Sequence, residues 1–217
     1  MKISWLKHAS FKIETKDKKI IYLDPYQIPE TEDKADIIIC SHEHGDHFDE
    51  ESIRKIYKDS TILLGPKSIS SKLNKFNGKG LELYAPYQIE DITIELYPAY
   101  NIKRMRAKNQ PFHPKEQKWA GILLEAEGKK IYHAGDTERI PEMKNLSSKD
   151  IDVAMLPCGG TYTMDFEESA GAADDIKPKI VIPMHNWDVN LDTFKKIVNK
   201  KNPEIKVEIL ENKDLHI

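Results

Sequence analysis

Three histidines and an aspartate fall within the six residues His42-Glu43-His44-Gly45-Asp46-His47, in a chain that has eight histidines altogether. Imidazole nitrogens and a carboxylate are the donor set that binds Zn²⁺, Mn²⁺ or Fe²⁺. The cluster follows Ala35–Cys40, whose centre, Ile37-Ile38-Ile39, is a continuous apolar run suited to a strand buried on both faces. Ligands at the end of a rigid strand need no helical spacing to converge. Gly45 offers a tight bend that would turn His44 and the Asp46-His47 pair toward one point. The competing reading, a polar surface turn that is rich in histidine by chance, leaves the placement at a strand end unexplained.

Four residues so close in sequence cannot fill two metal spheres, so further ligands are expected at other strand ends. Two places qualify. His133-Ala134-Gly135-Asp136-Thr137 follows the strand Lys129–Tyr132, and Pro183-Met184-His185 follows the strand Lys179–Ile182. Each alone reads as a structural turn. Beside the first cluster, Asp136 and His185 become candidate ligands, and His133 a candidate hydrogen-bond partner of a ligand.

The elements that must carry these residues can be read from periodicity. Short strands are expected at Ile3–Trp5, Phe11–Glu14, Lys19–Leu23, Ser60–Gly65 and around Ile92, Ile94 and Leu96. A hairpin is expected across Glu127-Gly128, joining Trp119–Glu125 to Lys129–His133. Helices are expected at Asp49–Lys58, Pro66–Phe76, Phe166–Ile176 and Leu191–Asn199, and strands at Ile151–Leu156 and Ile205–Leu210. Many strands come first and βαβα follows, which suits two packed sheets with helices outside. The stretch Asn101–Lys118 is polar and basic, contains Pro111 and Pro114, and reads as a long loop of the kind that often carries function.

The bulk properties narrow the class. A length of 217 residues suits one sizeable core, read here as a single domain over 1–217. The net charge of −3 argues against a protein that coats nucleic acid. Cys40 and Cys158 form no CxxC pair, so a reducing compartment fits best. There is no apolar signal-like segment at the start and no run near the ~20 apolar residues that span a bilayer. These features predict a cytoplasmic protein without a membrane partner; nothing in them sets the oligomeric state.

On these residues the chain resembles the metallo-β-lactamase superfamily, and within it the small stand-alone hydrolases similar to L-ascorbate-6-phosphate lactonase-like proteins. The matching pieces are Met1-Lys2-Ile3-Ser4, His8-Ala9-Ser10, Leu23-Asp24-Pro25, Ser41–His47, Tyr132–Thr137, Ile151–Pro157, Gly160–Met164 and Pro183-Met184-His185. The resemblance implies an α/β (α+β) chain folded as a four-layer αββα sandwich with a metal site along one edge. It implies one or two divalent metals, zinc first, with manganese or iron as alternatives. His42 and His44 would belong to the first metal, Asp46, His47 and His185 to the second, and Asp136 would bridge them.

It also implies hydrolysis of an ester, lactone or phosphoester of a small substrate, anionic or neutral, by a metal-bound hydroxide, with Asp46 and Asp136 as the catalytic carboxylates. The nuclease branch usually carries an inserted domain for which this length leaves no room, and diiron redox members carry glutamate where His44 stands.

One position departs from the pattern. The superfamily usually supplies a third histidine to the first metal from the strand end near Ala99-Tyr100-Asn101, and here Asn101 occupies it. An amide oxygen is a weaker and harder ligand than imidazole. Either the first site is weak, or it prefers a harder metal, or His113 from the following loop completes it. The departure gives weight to an alternative, a non-catalytic metal- or partner-binding module that keeps the fold. Tyr162, in a glycine-bearing loop after a strand, is a candidate pocket residue. The basic residues Lys103, Arg104, Arg106, Lys108, Lys115 and Lys118 are either a steering patch for an anion or a solvated loop.

Overall fold

The structure is a computed structural model that describes residues 1–30, 32–186 and 189–217. Two seven-stranded sheets make its centre. The first contains β1 (Lys2–Lys7), β2 (Ser10–Glu14), β3 (Ile20–Leu23), β4 (Ile37–Ile39), β5 (Ile62–Pro66) and β6 (Lys79–Leu81) in that spatial order. The second contains β7 (Tyr87–Ile89), β8 (Ile92–Pro98), β11 (Ala120–Ala126), β12 (Lys129–His133), β13 (Val153–Pro157), β14 (Ile180–Met184) and β15 (Lys206–Val207). Between β8 and β11 lies a separate hairpin, β9 (Met105–Ala107) and β10 (Gln110–Pro111). The terminal strand β16 (Asp214–His216) returns to pair with β1.

Each sheet buries both faces, and the sequence says why. Within Ile37-Ile38-Ile39, residues 37 and 39 enter the core between the sheets, while Ile38 points to a second core with Ile53, Ile56, Ile69 and Leu73. Those partners belong to α1 (Glu50–Ile56), to the one-turn α2 (Ser70–Leu73) and to the 3₁₀ turn before it. On the far side, Ala170, Ala173 and Ile176 of α3 (Phe166–Ile176) and Phe194 and Val198 of α4 (Leu191–Lys201) join the main core. The order is therefore helices, sheet, sheet, helices. Asp165 and Glu168 form a reciprocal cap that starts α3, and Asp49 caps α1. Among the described residues no helix is long and apolar enough to cross a membrane.

Strand direction explains where the chemistry collects. β1, β3 and β4 run the same way in the first sheet, and β8, β12, β13 and β14 share one direction in the second. Side chains following their C-terminal ends gather along one edge, the place where open α/β sheets present ligand sites. His8 follows β1, Asp24 follows β3, and His42 to His47 follow β4; Asn101 follows β8, Asp136 follows β12 and His185 follows β14. Three hydrogen bonds tie the two sheets there. Ala120 N donates to Ser41 O at 3.1 Å, His185 N to His8 O at 3.1 Å, and His133 Nε2 to Ala9 O at 2.8 Å.

The expected elements are present with shifted ends. The span Pro66–Phe76 is not one helix but a run of short turns: a 3₁₀ turn, α2, and a second 3₁₀ turn ending at Asn77, which has a left-handed φ of 53°. Lys206–Val207 is a shorter strand than Ile205–Leu210 suggested. The stretch Asn101–Lys118 is folded, not irregular, holding β9, β10 and a 3₁₀ turn at Lys115–Gln117.

Candidate metal centre

His42, buried, lies directly beyond β4, and its Nε2 is 3.0 Å from His44 Nδ1. The turn that carries them is closed by backbone bonds from His47 N and Phe48 N to His44 O, at 3.0 and 2.8 Å. Gly45 lies within this turn, as expected, but the turn does not depend on its being glycine: its φ is not left-handed, and a Cβ there would meet nothing within 4 Å. The glycine that the site does require is Gly135. It has φ +62°, and a Cβ would sit 2.9 Å from Ala120 O and 3.0 Å from the Ser41 Cβ.

The third imidazole of this first group is His113. Donor atoms of His42, His44 and His113 lie within 4.8 Å of one another. Asn101 stands beside that group as its support. Its Oδ1 accepts from His113 Nδ1 at 2.8 Å, and its Nδ2 donates to Tyr162 O at 2.7 Å. The bond fixes the proton on His113 Nδ1 and leaves Nε2 as the donor atom, the usual way an outer partner orients a ligating histidine.

Trp119 packs against the trio, its ring 4.7 to 5.7 Å from the three imidazole centroids. Nothing in the sequence pattern singled it out. Its neighbour Ala120 bonds to Ser41 across the sheets.

The second group consists of His8, Asp46, His47 and His185, again with donor atoms within 4.8 Å. Asp136 lies between the two groups. One of its carboxylate oxygens is 3.2 Å from both His113 Nε2 and His185 Nε2, and the other is 3.2 Å from His47 Nε2. Among the described residues, His47 Nε2 and Asp136 Oδ1 are fully buried and face each other at 3.2 Å without hydrogen-bond geometry to any partner. Leaving such atoms without a well-formed hydrogen bond in the interior is unfavourable, and a cation between them would satisfy both. The donor set of neutral imidazoles and carboxylates therefore fits a divalent metal.

A buried carboxylate sets the tautomers of both groups. Asp24 Oδ1 accepts from Ser41 N and its Oδ2 from Ser41 Oγ and His47 Nδ1, each at 2.6 Å. With its only hydroxyl proton on Asp24, Ser41 Oγ accepts from His42 Nδ1 at 3.0 Å. His42 and His47 thus both carry their proton on Nδ1 and aim Nε2 inward. Asp24 is committed to these donors and is an orienting group. His133 is engaged on both nitrogens, donating to Ala9 O and accepting from Gly135 N at 3.1 Å. It holds the Gly135 turn and does not touch the cluster's donor atoms.

The charges follow from burial and neighbours. Burial lowers His42, His44 and His8, so these imidazoles are neutral near pH 7. For His47 burial also favours the neutral form, but Asp136 and Asp24 on either side outweigh it and hold its pKa well above 6.5. Burial would raise Asp136, yet His185 and His47 bring it well below the ordinary carboxylate range. Asp46 is raised by burial and lowered more strongly by the His8 hydrogen bond and His47, to about 2. Both thiols are pushed up by burial, Cys158 to about 12, so neither is a nucleophile. His8, Asp24 and His185 all have left-handed backbones, with φ of 55°, 45° and 51°. Each costs about 1–2 kcal/mol for a residue with a Cβ, and such strain gathers at functional sites.

A cavity of about 210 Å³ opens on the cluster. Its floor is His44, Asp46, His113, Asp136 and His185, and its wall is Phe112 with Tyr162, edge to face at 4.8 Å. The loop that delivers Phe112 and His113 is tied down by Glu138, a residue that the sequence did not single out. This buried carboxylate accepts from the backbone N–H of Ile102, Lys103 and Arg104 at 2.6 to 2.8 Å.

Comparison with known proteins agrees with this picture. A family profile described as "Beta-lactamase superfamily domain" matches residues 2–185. A UPF0173 metal-dependent hydrolase of Geobacillus sp. (strain WCH70) is 32% identical over 195 residues, covering 85% of each chain. Another, of Nanoarchaeum equitans, is 32% identical and covers 100% of this chain and 99% of that one. The crystal structure of a Parabacteroides distasonis protein considered a metal-dependent hydrolase superposes with a TM-score of 0.84. It is 37% identical and covers 95% of this chain and 91% of that chain.

Proposed function

The chain belongs to the beta-lactamase superfamily and is a metal-dependent hydrolase; from that premise we propose that it cleaves a small ester, lactone or phosphoester at a centre holding two divalent ions, zinc foremost, with manganese or iron as alternatives. His42, His44 and His113 hold the first ion, and Asp46, His47 and His185 the second, with Asp136 shared. The observation that carries this reading is the Asp136 carboxylate, 3.2 Å from Nε2 of His47, His113 and His185, and so facing donor atoms of both groups. Zinc rests on the histidine-rich donor set. A lactone is the narrower choice within the substrate range, and it rests only on likeness of motif. We read 1–217 as one domain and, from its two free, buried cysteines, as a protein of a reducing compartment.

Divalent ions bound there supply a nucleophile from water at neutral pH and polarise the substrate oxygen. The chain's own residues position the participants. Asp24 and Ser41 hold His42 and His47 with Nε2 inward, and Asn101 does the same for His113. Asp46, its side chain 34% exposed, borders the cavity and accepts from His8 at Oδ2. Held at about 2, it is too weak a base to store a proton near neutrality. Ligation and orientation of the attacking water are therefore its roles, with His8 keeping its carboxylate in place. Phe112 and Tyr162 exclude water from one side of the pocket.

The main ground for a non-catalytic binding module was Asn101, and His113 beside it removes that ground. The test is metal content by mass spectrometry on protein prepared without chelator, followed by a panel of neutral esters, lactones and phosphodiesters. About two ions per chain and turnover of at least one class are expected. A chain that takes up no divalent ion would sink the proposal.

A further inference from the structure

Resting on that hydrolase reading, we infer that the substrate is compact and carries no charge outside its reacting group, so that its remainder lies as an uncharged, apolar body against Phe112 and Tyr162. The cavity's size sets the first limit. Its volume of about 210 Å³ equals roughly seven waters at ~30 Å³ each, below the usual span of small-molecule sites.

Charge sets the second limit. None of the described residues lining the cavity is lysine or arginine. Trp187 and Asp188, outside the described residues, carry no positive charge by type. Of the six basic residues of the neighbouring loop, Arg106, Lys108 and Lys118 are exposed and do not line the cavity, and the other three are engaged. Arg104 donates through Nε to Gly160 O, and its guanidinium pairs with Glu138, Asp165 and Glu168. Lys103 pairs with Glu168 at 3.6 Å and Lys115 with Glu142 at 3.0 Å.

The charged side chains on the pocket's lining are instead acidic, Asp46 held by His8 and Asp136 among the imidazoles. A phosphate or carboxylate distant from the reacting group would have to face aromatic edges or Asp46. Burying an anion there with no cationic side chain to pair with it is unfavourable. The aromatic wall offers a planar or aliphatic group the opposite reception. Ile102 and Met105, on the segment that leads to Phe112, are exposed apolar residues, as is Tyr162. The loop that the sequence left as either a steering patch or a solvated loop thus spends Arg104 on its own anchorage.

The test uses cobalt-loaded protein and two chelating probes that differ only at the far end, benzohydroxamic acid and its 4-sulfonate. Their affinities are read from the cobalt absorption spectrum, without reference to turnover. The uncharged ring should bind at least ~10-fold more tightly than the sulfonate. Phe112→Ala should erase most of that preference, Phe112→Leu should keep it, and Phe112→Arg should reverse it. Equal or tighter binding of the sulfonate overturns the inference, as does a preference unmoved by Phe112→Arg or a spectrum that answers to neither probe. Failure to take up cobalt at all is a different result: it defeats the hydrolase reading beneath.

Discussion

The two halves of the centre share Asp136 but are secured in different ways. In the second group, His47 lies in the turn beyond β4 and His185 directly after β14, locked by Asp24 and by the bond from His185 N to His8 O. In the first, His42 and His44 follow β4, but His113 arrives on the excursion between β8 and β11 and depends on Asn101 and the Glu138 anchor. One half is built from core strands and the other is completed by a loop. The difference predicts that the first ion is the more easily lost and that changes far from its ligands can release it.

The largest effect should come from removing what the halves share. Asp136→Ala leaves the imidazoles of both groups without their common carboxylate. Hydrolysis should fall by ~10³-fold or more, and metal content should drop at both positions. Retention of full metal content in this variant would break the picture of a shared ligand.

The next pair separates the halves. His113→Ala should lower metal content by about one ion per chain and leave the fold intact, because its loop has its own anchors. His185→Ala should remove the ion from the other half and also lose the ring contact with His8, 3.8 Å between centroids, lowering Tm. Equal losses of stability in the two variants would contradict the contrast. Asn101→Ala should follow with a ~10–100-fold weakening at the first group only, measured by competition with a chelator, and Asn101→Asp should restore much of it.

What the sequence disclosed follows the same division. Ligands at strand ends were legible because an apolar run, a stop and a ligand-type residue all lie within a few positions, as at Ile37–His47 and Ile180–His185. His8 and Asp24 were visible as polar residues after strands, though their pairing through His185 and Ser41 was not. His113 stayed one of several choices for the opposite reason. Its approach to His42 is set by Glu138, whose three backbone acceptor bonds have no local signature, and by Asn101, which looked like a missing histidine. Trp119 was unreadable because only the packing of β11 against β4 brings it to the trio. Two packed sheets with helices outside could be foreseen from the order of the elements, and the four-layer sandwich from the family resemblance. β6, β9, β10 and β16 are too short, or too dependent on a partner strand, to announce themselves.

Charge offers a subtler way to sharpen the comparison. His42 and His44 of the first group are neutral by burial, whereas His47 in the second is held protonated between two carboxylates, its pKa well above 6.5. A metal must displace that proton, so affinity at the second group should keep rising with pH above 6.5, while the first should level off sooner. The metal-free protein should behave in the opposite sense. A raised histidine pKa contributes stability that is complete below 6.5 and is lost as pH rises through the folded value. The Tm gained on adding zinc should therefore widen from pH 6.5 upward. A constant gain across that range would show that His47 is not protonated in the metal-free site.

The smallest effect tests whether the loop alone distinguishes the halves. Arg104 touches neither group, yet it ties Gly160, Glu138 and Glu168 to the start of the hairpin that leads to Phe112 and His113. Arg104→Ala removes that tie but leaves the three backbone bonds to Glu138, so the hairpin should loosen without unfolding. Hydrogen exchange should quicken in residues 102–112, and the first ion should dissociate a few-fold faster, in keeping with the low local stability of loops that carry function. Exchange at β4 and β14 should not change. The second group is held by strands that Arg104 does not reach, so matching losses at both positions would mean that the halves move as one body.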